Sequence, residues 1–441
     1  MKPDPVLAAR LLHTLAPWRQ ARTWYIALSG GLDSTVLLHL LAHLATSHDL
    51  PTLQALHVHH GLQAAADAWP MHCQAICDEL GVPLQVLRVS VAEQASVEGA
   101  AREARYRALG AVVGSNELLL TAQHADDQAE TLLFRLLRGA GVRGAAAMPV
   151  QRPLGAGYLV RALLEVSRAE LERYARDHGL RWVEDPTNGD QQLSRNYLRH
   201  EVFPRLTARW PRAVGAMVRS AAHFREAQGL LDDLAELDLA TARPSPRQPW
   251  LGLPVLALAP LAALSPARQR NALRHWLAPL TRLPDAEHWA GWESLRDATE
   301  AATPLWALAD GQLHRADGHL WWLPAGWQEP SLSALTWARP ELPLVLPGNG
   351  ALSISGQCPS CVLQVRYREG GEVMQLPGRG RRDLKRLLNE QGVPPFLRGR
   401  LPLVYREGHL VAVANLPGLN ADGPASWNLH WQLPKSDQGL S

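Results

Sequence analysis

At 441 residues, with 46% hydrophobic and 20% charged residues, the chain has the composition of an ordinary globular protein and the length of two or three domains, which excludes a single core and a disordered chain. No apolar run reaches the ~18 residues a membrane span needs, and the N-terminus lacks a signal pattern, so a cytoplasmic protein without membrane contact is expected. Four cysteines in so long a chain argue against a disulfide scaffold, and Cys73, Cys77, Cys358 and Cys361 read as core or incidental rather than as zinc ligands or a redox pair.

Pro5 to Leu15 reads as an amphipathic helix, Trp24 to Leu28 as a short buried strand, and Thr35 to Leu44, with leucines at 37, 38, 41 and 44, as a helix. Between that strand and helix stands Ser29-Gly30-Gly31-Leu32-Asp33-Ser34. Adjacent glycines permit positive φ and close approach of the backbone, and the free N–H groups of a helix start favour an anion. Ser29 and Ser34 add hydroxyl donors, while Asp33 can hold a magnesium ion against phosphate oxygens. The stretch suits phosphate, yet it lacks the lysine of a Walker loop and the third glycine of a dinucleotide fingerprint. Ser-Gly-Gly-x-Asp-Ser resembles the PP-loop of the ATP pyrophosphatase superfamily, whose members cleave ATP between its α and β phosphates to adenylate a substrate.

Strand then alternates strictly with helix: Thr52 to His59, Ala65 to Leu80, Leu84 to Val89, Ser96 to Val113 with Arg102, Arg105 and Arg107, and Glu117 to Thr121. This order predicts an α/β domain, a parallel sheet with helices on both faces and ligands at the carboxyl ends of its strands. Two other strand ends carry polar clusters. His57, His59 and His60 read as the rim of a nucleotide pocket, since neighbours on a strand face opposite ways, which is poor zinc geometry. In His124-Ala125-Asp126-Asp127-Gln128-Ala129-Glu130, a helix starting near Ala125 puts Asp127 and Glu130 on one face, where two carboxylates call for a cation, magnesium or a substrate ammonium. Asp126 reads as an ordinary helix-start acid.

The net charge of +2 hides an uneven spread: Arg135 to Arg225 contains sixteen Arg and no Lys against eight acidic residues. Three glycines and three arginines interleave in Arg135-Leu136-Leu137-Arg138-Gly139-Ala140-Gly141-Val142-Arg143-Gly144, a cationic loop suited to phosphate or RNA. Arg161-Ala162-Leu163-Leu164, a helix from Arg168 to His178 and Arg195-Asn196-Tyr197-Leu198-Arg199-His200 complete this zone. Beyond a boundary near Ala222 the Leu/Ala/Trp-rich stretch reads as a helical middle domain, and period-two runs such as Val362 to Tyr367 suggest a small α/β end domain. The expected domains are therefore 1–222, 223–335 and 342–441.

His57-Val58-His59-His60-Gly61-Leu62, the run from His124 to Gly141, Trp182-Val183-Glu184-Asp185-Pro186-Thr187-Asn188 and the run from Arg195 to Leu206 occur in an order that resembles the bacterial tRNA(Ile)-lysidine synthetases. Gly370-Gly371-Glu372, Leu384 to Leu388, Gly392 to Phe396 and Leu401 to Tyr405 resemble that family's last domain; Phe396 stands where members often carry Trp, and Met374 to Arg382 is longer and richer in arginine. The resemblance implies an adenine nucleotide α-hydrolase-like fold and a ligase that uses ATP, magnesium and free lysine. It would convert the wobble cytidine of the CAU-anticodon isoleucine tRNA to lysidine, changing codon reading from AUG to AUA and charging from methionine to isoleucine.

By that resemblance Ser29, Gly30, Gly31, Leu32, Asp33 and Ser34 hold ATP, Asp33 places the magnesium, and Asp127 and Glu130 hold the lysine. His124 is a further candidate at the adenylation site, and Arg138, Arg195, Arg199, Arg381, Lys385 and Arg386 are candidates for phosphate or tRNA contacts, the last three on an acceptor stem. The family is often dimeric. The rival readings are a tRNA thiolase of the same superfamily, which needs a reactive cysteine pair or an iron-sulfur cluster near the nucleotide, and a tRNA-binding protein without catalysis.

Overall fold

Alternation of apolar runs with amphipathic ones produces the expected parallel sheet. The computed structural model describes residues 4–61, 67–90, 97–185, 189–284, 286–299, 302–327, 333–423 and 426–434. Leu62, Ala65, Ser96 and Pro186-Thr187-Asn188 of the sequence readings lie outside the described residues. The chain divides into two compact units between Gly229 and Leu230.

In the first unit, α1 (Pro5–Leu15) precedes β1 (Thr23–Ala27), α2 (Leu32–Ala45), β2 (Thr52–His59), α3 (Trp69–Leu80), β3 (Leu84–Arg88), α4 (Val97–Val112) and β4 (Glu117–His124). Then follow α5 (Ala125–Leu136), α6 (Val142–Ala145), β5 (Gln151–Leu154), β6 (Gly157–Leu163), α7 (Arg168–Asp177), α8 (Ser194–Tyr197), a π-type turn, α9 (Phe203–Arg209) and α10 (Ala213–Thr241), within which the division between the units falls. The sheet runs β3-β2-β1-β4-β6-β5, parallel except for the edge hairpin partner β5. Its core is built from Trp24, Ile26, Leu28, Leu37, Leu41, Leu118, Leu120 and Val160, all nearly inaccessible to water.

The chain order reverses at β1, whose neighbours are β2 on one side and β4 on the other. A loop leaving β1 and a loop leaving β4 diverge at such a point and leave a crevice at the carboxyl ends of the strands. The two polar stretches singled out in the sequence follow these two strands.

The sequence expectation ends at four strands, and the structure adds the β5–β6 hairpin. Pro153 obscures the first of these, tolerated because β5 is an edge strand, and Arg161 the second. Arg161 therefore leaves the basic surface on which the sequence placed it: it is 4% exposed, and its Nη1 donates to the Pro149 carbonyl at 2.7 Å. Arg135 likewise donates to the carbonyls of Gly144 and Ala147, at 3.1 and 2.8 Å, and caps the turn it was expected to make cationic.

α2 is tied to α7 by a buried cluster in which His39 Nδ1 lies 2.8 Å from the Tyr174 hydroxyl and the rings of His43, His178 and Tyr174 surround it. Burial first, then the neighbouring His43 and His178, push the His39 pKa down to about 4. A histidine depressed on folding gives its full stabilisation above the unfolded value of about 6.5 and loses it as pH falls through the window to about 4. His39 by itself is expected to make the protein about 2 kcal/mol less stable at pH 5 than at pH 7, and His39→Gln should remove that share of the pH dependence seen in denaturant unfolding.

In the second unit the middle stretch is not purely helical: Leu258–Ala262, Pro266–Leu277 and Ala290–Asp297 form helices, but Val255–Ala257, Leu305–Leu308, Gly311–Ala316 and His319–Pro324 form an antiparallel sheet. Trp289, Trp292, Trp306 and Trp322 fill the core between them. The strand signal is present in the turns, because Asp317 and Gly318 both take positive φ, 47° and 70°, the tight hairpin geometry that Asp-Gly favours. The last stretch is mostly β, with a six-stranded mixed sheet and a three-stranded one beside the helices Leu384–Glu390 and Pro395–Arg398. Among the described residues no helix is long and apolar enough to cross a membrane.

Candidate active site

The turn after β1 is held by its own serines. Ser34 Oγ accepts from the Ser29 amide at 3.2 Å and donates to the Gly31 carbonyl at 3.1 Å, and Ser29 Oγ accepts from the Gly31 amide at 3.3 Å. Gly31 is the N-cap of α2 without a side-chain cap, so the first α2 amides face outward with no intrahelical acceptor. Gly30 must be glycine for two reasons: φ is +87°, and an added Cβ would stand 3.1 Å from Val183 Cγ2 and 3.2 Å from Cys73 Sγ. Val183 donates its amide to the Gly30 carbonyl at 2.9 Å, so the Trp182-Val183 segment clasps the loop from the far side of the sequence.

This loop floors a cleft of about 890 Å³ whose walls include Val58, His60, Tyr106, Gln123, Arg168 and Trp182. Asp33, Asp127 and Arg199 also reach it. Its volume, and a lining that mixes apolar faces with many polar and charged groups, suit a nucleotide-sized, phosphate-bearing ligand. Sequence reasoning missed Tyr106, Arg168 and Trp69 on this wall, because each sits on a helix whose periodicity accounts for it without a ligand. His57 lies in the floor rather than the rim: it is 2% exposed, and its Nδ1 donates to the Leu28 carbonyl at 2.8 Å.

Across the crevice, His124 ends β4 and α5 begins. The His124 amide donates to Asp127 Oδ2 at 3.2 Å, and the Asp126 carboxylate accepts from the Arg168 amide at 2.8 Å, which ties the start of α5 to the start of α7. The His124 ring, 1% exposed, has Nε2 3.6 Å from Asp33 Oδ2 and 3.5 Å from Asp127 Oδ2, with Asp126 Oδ2 3.7 Å from Nδ1. His124 thus bridges the loop of β1 to the helix after β4. Burial alone would lower its pKa, but Asp33, Asp127 and Asp126 outweigh burial and raise it above the ordinary histidine value.

Asp127 and Glu130 do share one face, and the cations on them are the protein's own. Arg195 reaches Asp127 at 3.2 Å and Glu130 at 3.0 Å, and Arg199 reaches the same pair at 2.9 and 2.7 Å. The carboxylates are buried, Glu130 to 3% exposure, while Arg195 remains 46% exposed. Burial would raise the Asp127 carboxyl, but His124, Arg195 and Arg199 hold it below the usual carboxylate range. Two carboxylates and two guanidiniums close a neutral quartet, of which Arg195 is the most exposed member.

Asp33 Oδ1 is buried and has no hydrogen-bond partner, an acceptor left for a ligand cation or donor. No group of three or more His, Cys, Asp or Glu residues among the described residues is arranged to hold a metal ion. One carboxylate completed by substrate phosphates is nevertheless the usual way magnesium is held, and Asp33 fits it. Of the other expected contacts, Arg138 is exposed with its guanidinium 5.3 Å from the Phe134 ring centre. In the second unit Arg381 and Lys385 are exposed, and Arg386 pairs with Glu390 at 3.3 Å.

Burial pushes the Cys73 thiol up to about 12 and the Cys77 thiol up to about 11, so although Cys73 touches the loop it offers no thiolate. Cys358 and Cys361 belong to the second unit.

A PP-loop domain model matches residues 3–206, a TilS substrate binding domain model residues 256–321, and a TilS substrate C-terminal domain model residues 363–431. The chain is 63% identical over 435 residues to a tRNA(Ile)-lysidine synthase of Pseudomonas syringae pv. tomato, covering 99% of this chain and 98% of the relative. It is 62% identical over 442 residues to that of Pseudomonas aeruginosa, covering 100% of both, and 44% identical over 439 residues to that of Alkalilimnicola ehrlichii, covering 94% and 95%. Among solved structures, a U34-tRNA thiolase from Methanococcus maripaludis aligns over 50% of this chain and 79% of its own with a TM-score of 0.43 and 16% identity, too distant to carry an argument. With its PP-loop, its two TilS domains and full-length relatives at this identity, the chain belongs to the tRNA(Ile)-lysidine synthases, a family of ATP-dependent ligases.

Proposed function

We propose that the crevice joins free L-lysine to C2 of the wobble cytidine in the CAU-anticodon isoleucine tRNA, in two steps at opposite walls. The observation that carries this reading is the carboxylate pair Asp127 and Glu130, held by Arg195 and Arg199, with His124 tying Asp127 to Asp33 of the β1 loop.

In the first step the cytidine O2 attacks the α phosphorus of ATP, the bond to the bridging oxygen breaks, and pyrophosphate leaves. Ser29, Gly30, Gly31, Leu32 and Ser34 cradle the departing phosphates, because charge develops where the α2 amides point. Asp33 holds the magnesium, whose chemistry is to neutralise phosphate charge. In the second step the lysine ε-nitrogen attacks C2, the C2–O2 bond breaks and AMP departs with the oxygen. Asp127 and Glu130 pair with the ammonium that enters as Arg195 swings toward solvent and phosphate, and one of these two carboxylates takes the ε-proton so that the neutral amine can attack. Arg199, less exposed and bonded to both carboxylates, keeps the site from carrying an unpaired negative pair.

The cytidine is read unstacked, as RNA loops are. Discrimination from methionine tRNA with the same anticodon falls to regions 223–335 and 342–441, with Arg381, Lys385 and Arg386 on the acceptor stem. The reaction belongs in the cytoplasm with the tRNA.

Radiolabelled lysine, ATP and unmodified isoleucine tRNA with a CAU anticodon are expected to give labelled tRNA with release of AMP and pyrophosphate, and methionine tRNA none. Pyrophosphate without labelled tRNA would mean that a different nucleophile is used.

A further inference from the structure

A second concavity, of about 600 Å³, lies beside the quartet in the same unit, lined by Phe134, Leu137, Arg138, Gln192, Tyr197 and Leu206. It is apolar and open: Leu137 is 70% exposed and Tyr197 48%. Leaving such surface in water is unfavourable, and a concave patch of this kind marks a binding site. Of its lining only Arg138 has a role assigned above, as a candidate phosphate or tRNA contact.

Its position says what fills it. Glu130 and Phe134 lie four residues apart on α5, with Arg138 in the turn that follows it, so the groove begins one turn beyond the carboxylates, about 6 Å along the same helical face. Tyr197 stands between Arg195 and Arg199, the two residues that hold those carboxylates. A strand that delivers its reacting base to Asp127 and Glu130 must lay a neighbouring nucleotide here. The lining suits that nucleotide: an arginine over an aromatic ring at 5.3 Å, a half-exposed tyrosine and the Gln192 amide offer a stacking face, a cation and an edge donor. One turn past Leu206, the Trp210 amide donates to the Leu206 carbonyl at 2.7 Å, and Arg209 lies 5.6 Å from the ring centre of this tryptophan, 57% exposed. A second copy of the chain is disfavoured, because pairing this face with itself would oppose Arg138, Arg209 and Arg212, all exposed.

We propose that the Phe134–Tyr197 groove is the stacking site for the nucleobase adjacent to the reacting cytidine in the tRNA anticodon loop. This rests on the reading of Asp127 and Glu130 as the centre of lysine transfer.

The test uses the full chain and anticodon stem-loops carrying 2-aminopurine on either side of the wobble position. Fluorescence at one of the two positions should be altered on binding. Tyr197→Ala should abolish that signal and raise the KM for tRNA about 5- to 100-fold, the range for one lost base-aromatic stack. The KM values for ATP and lysine should stay unchanged, and Tyr197→Phe should restore both signal and KM. Tyr197 is half exposed, so its truncation leaves folding intact. An unchanged signal and KM in Tyr197→Ala would overturn the proposal, as would a shift of oligomeric state on sedimentation, which would assign the groove to a second copy. Lysine incorporation by the wild type separates the two readings. If it occurs while Tyr197→Ala behaves as wild type, only the groove falls; if it does not occur, the transfer reading itself fails.

Discussion

Glu130→Gln is expected to cut lysine transfer about 100- to 1,000-fold, because a unit charge at 4 Å in a site of this polarity is worth about 4 kcal/mol and each ~1.4 kcal/mol is a factor of ten. Pyrophosphate release from ATP and tRNA, the step at the other wall, should persist. The change is isosteric but not silent for the fold. Glu130 is 3% exposed and accepts from both Arg195 and Arg199, so its neutralisation leaves one carboxylate facing two guanidiniums. Removing one partner of a buried pair costs about 3–5 kcal/mol, and the amide oxygen, still an acceptor, keeps the loss near the lower end. Denaturant unfolding at the assay temperature therefore accompanies the kinetics, and activity is compared only where the variant is fully folded. Arg195 sharpens the test, since it is the cation that lysine must replace: half-exposed and bonded to the same two carboxylates, it yields at less cost than the less exposed Arg199. A Glu130→Gln enzyme with unchanged lysine KM and transfer rate would sink the assignment of the amine site.

Much of this was legible in the sequence, for a reason that lies in α/β topology. Strand-helix alternation puts the carboxyl ends of the parallel strands along one edge of the sheet, so polar stretches far apart in the chain could be expected on one side of it; that β1 and β4 are neighbours, and their two stretches therefore share one crevice, is set by the strand order. What the sequence could not carry was who pairs with whom. Arg195 and Arg199 look like phosphate ligands in a basic run, and only the fold brings them onto Asp127 and Glu130. Arg135 and Arg161 were counted as surface charge, but backbone carbonyls that secondary structure leaves open are their partners. The middle stretch failed differently. Its tryptophans alternate on short strands such as Trp306 and Trp321-Trp322, where leucine and alanine neighbours imitate helical composition, and the Asp-Gly turns were the signal that outranked it. Elements shorter than a helical turn or two have no room to show a period, so turn chemistry must decide them.

Asp33→Asn is expected to lower the rate of pyrophosphate release about 100- to 1,000-fold, the cost of removing one preorganised group that meets developing charge. The argument is geometric. Asp33 Oδ1 is buried without a partner, while Oδ2 lies 3.6 Å from His124 Nε2, so one oxygen is committed to the histidine that joins the two walls and the other is left for the ligand. Asparagine keeps the shape, and its cost to the fold is small. An acid in the first turn of α2 is worth about 0.3–1 kcal/mol against the helix dipole, and losing it also relieves repulsion among Asp33, Asp126 and Asp127 around one imidazole. The variant should bind lysine as the wild type does, because Asp127 and Glu130 retain both arginines, and should need a higher magnesium concentration for half-maximal pyrophosphate release. It should also lower the His124 pKa, since one of the three carboxylates that hold it up is gone, and the imidazole NMR titration reads that shift independently of catalysis. Unaltered pyrophosphate release with unaltered magnesium dependence would remove Asp33 from the phosphate side of the reaction and leave it as a partner of His124 alone.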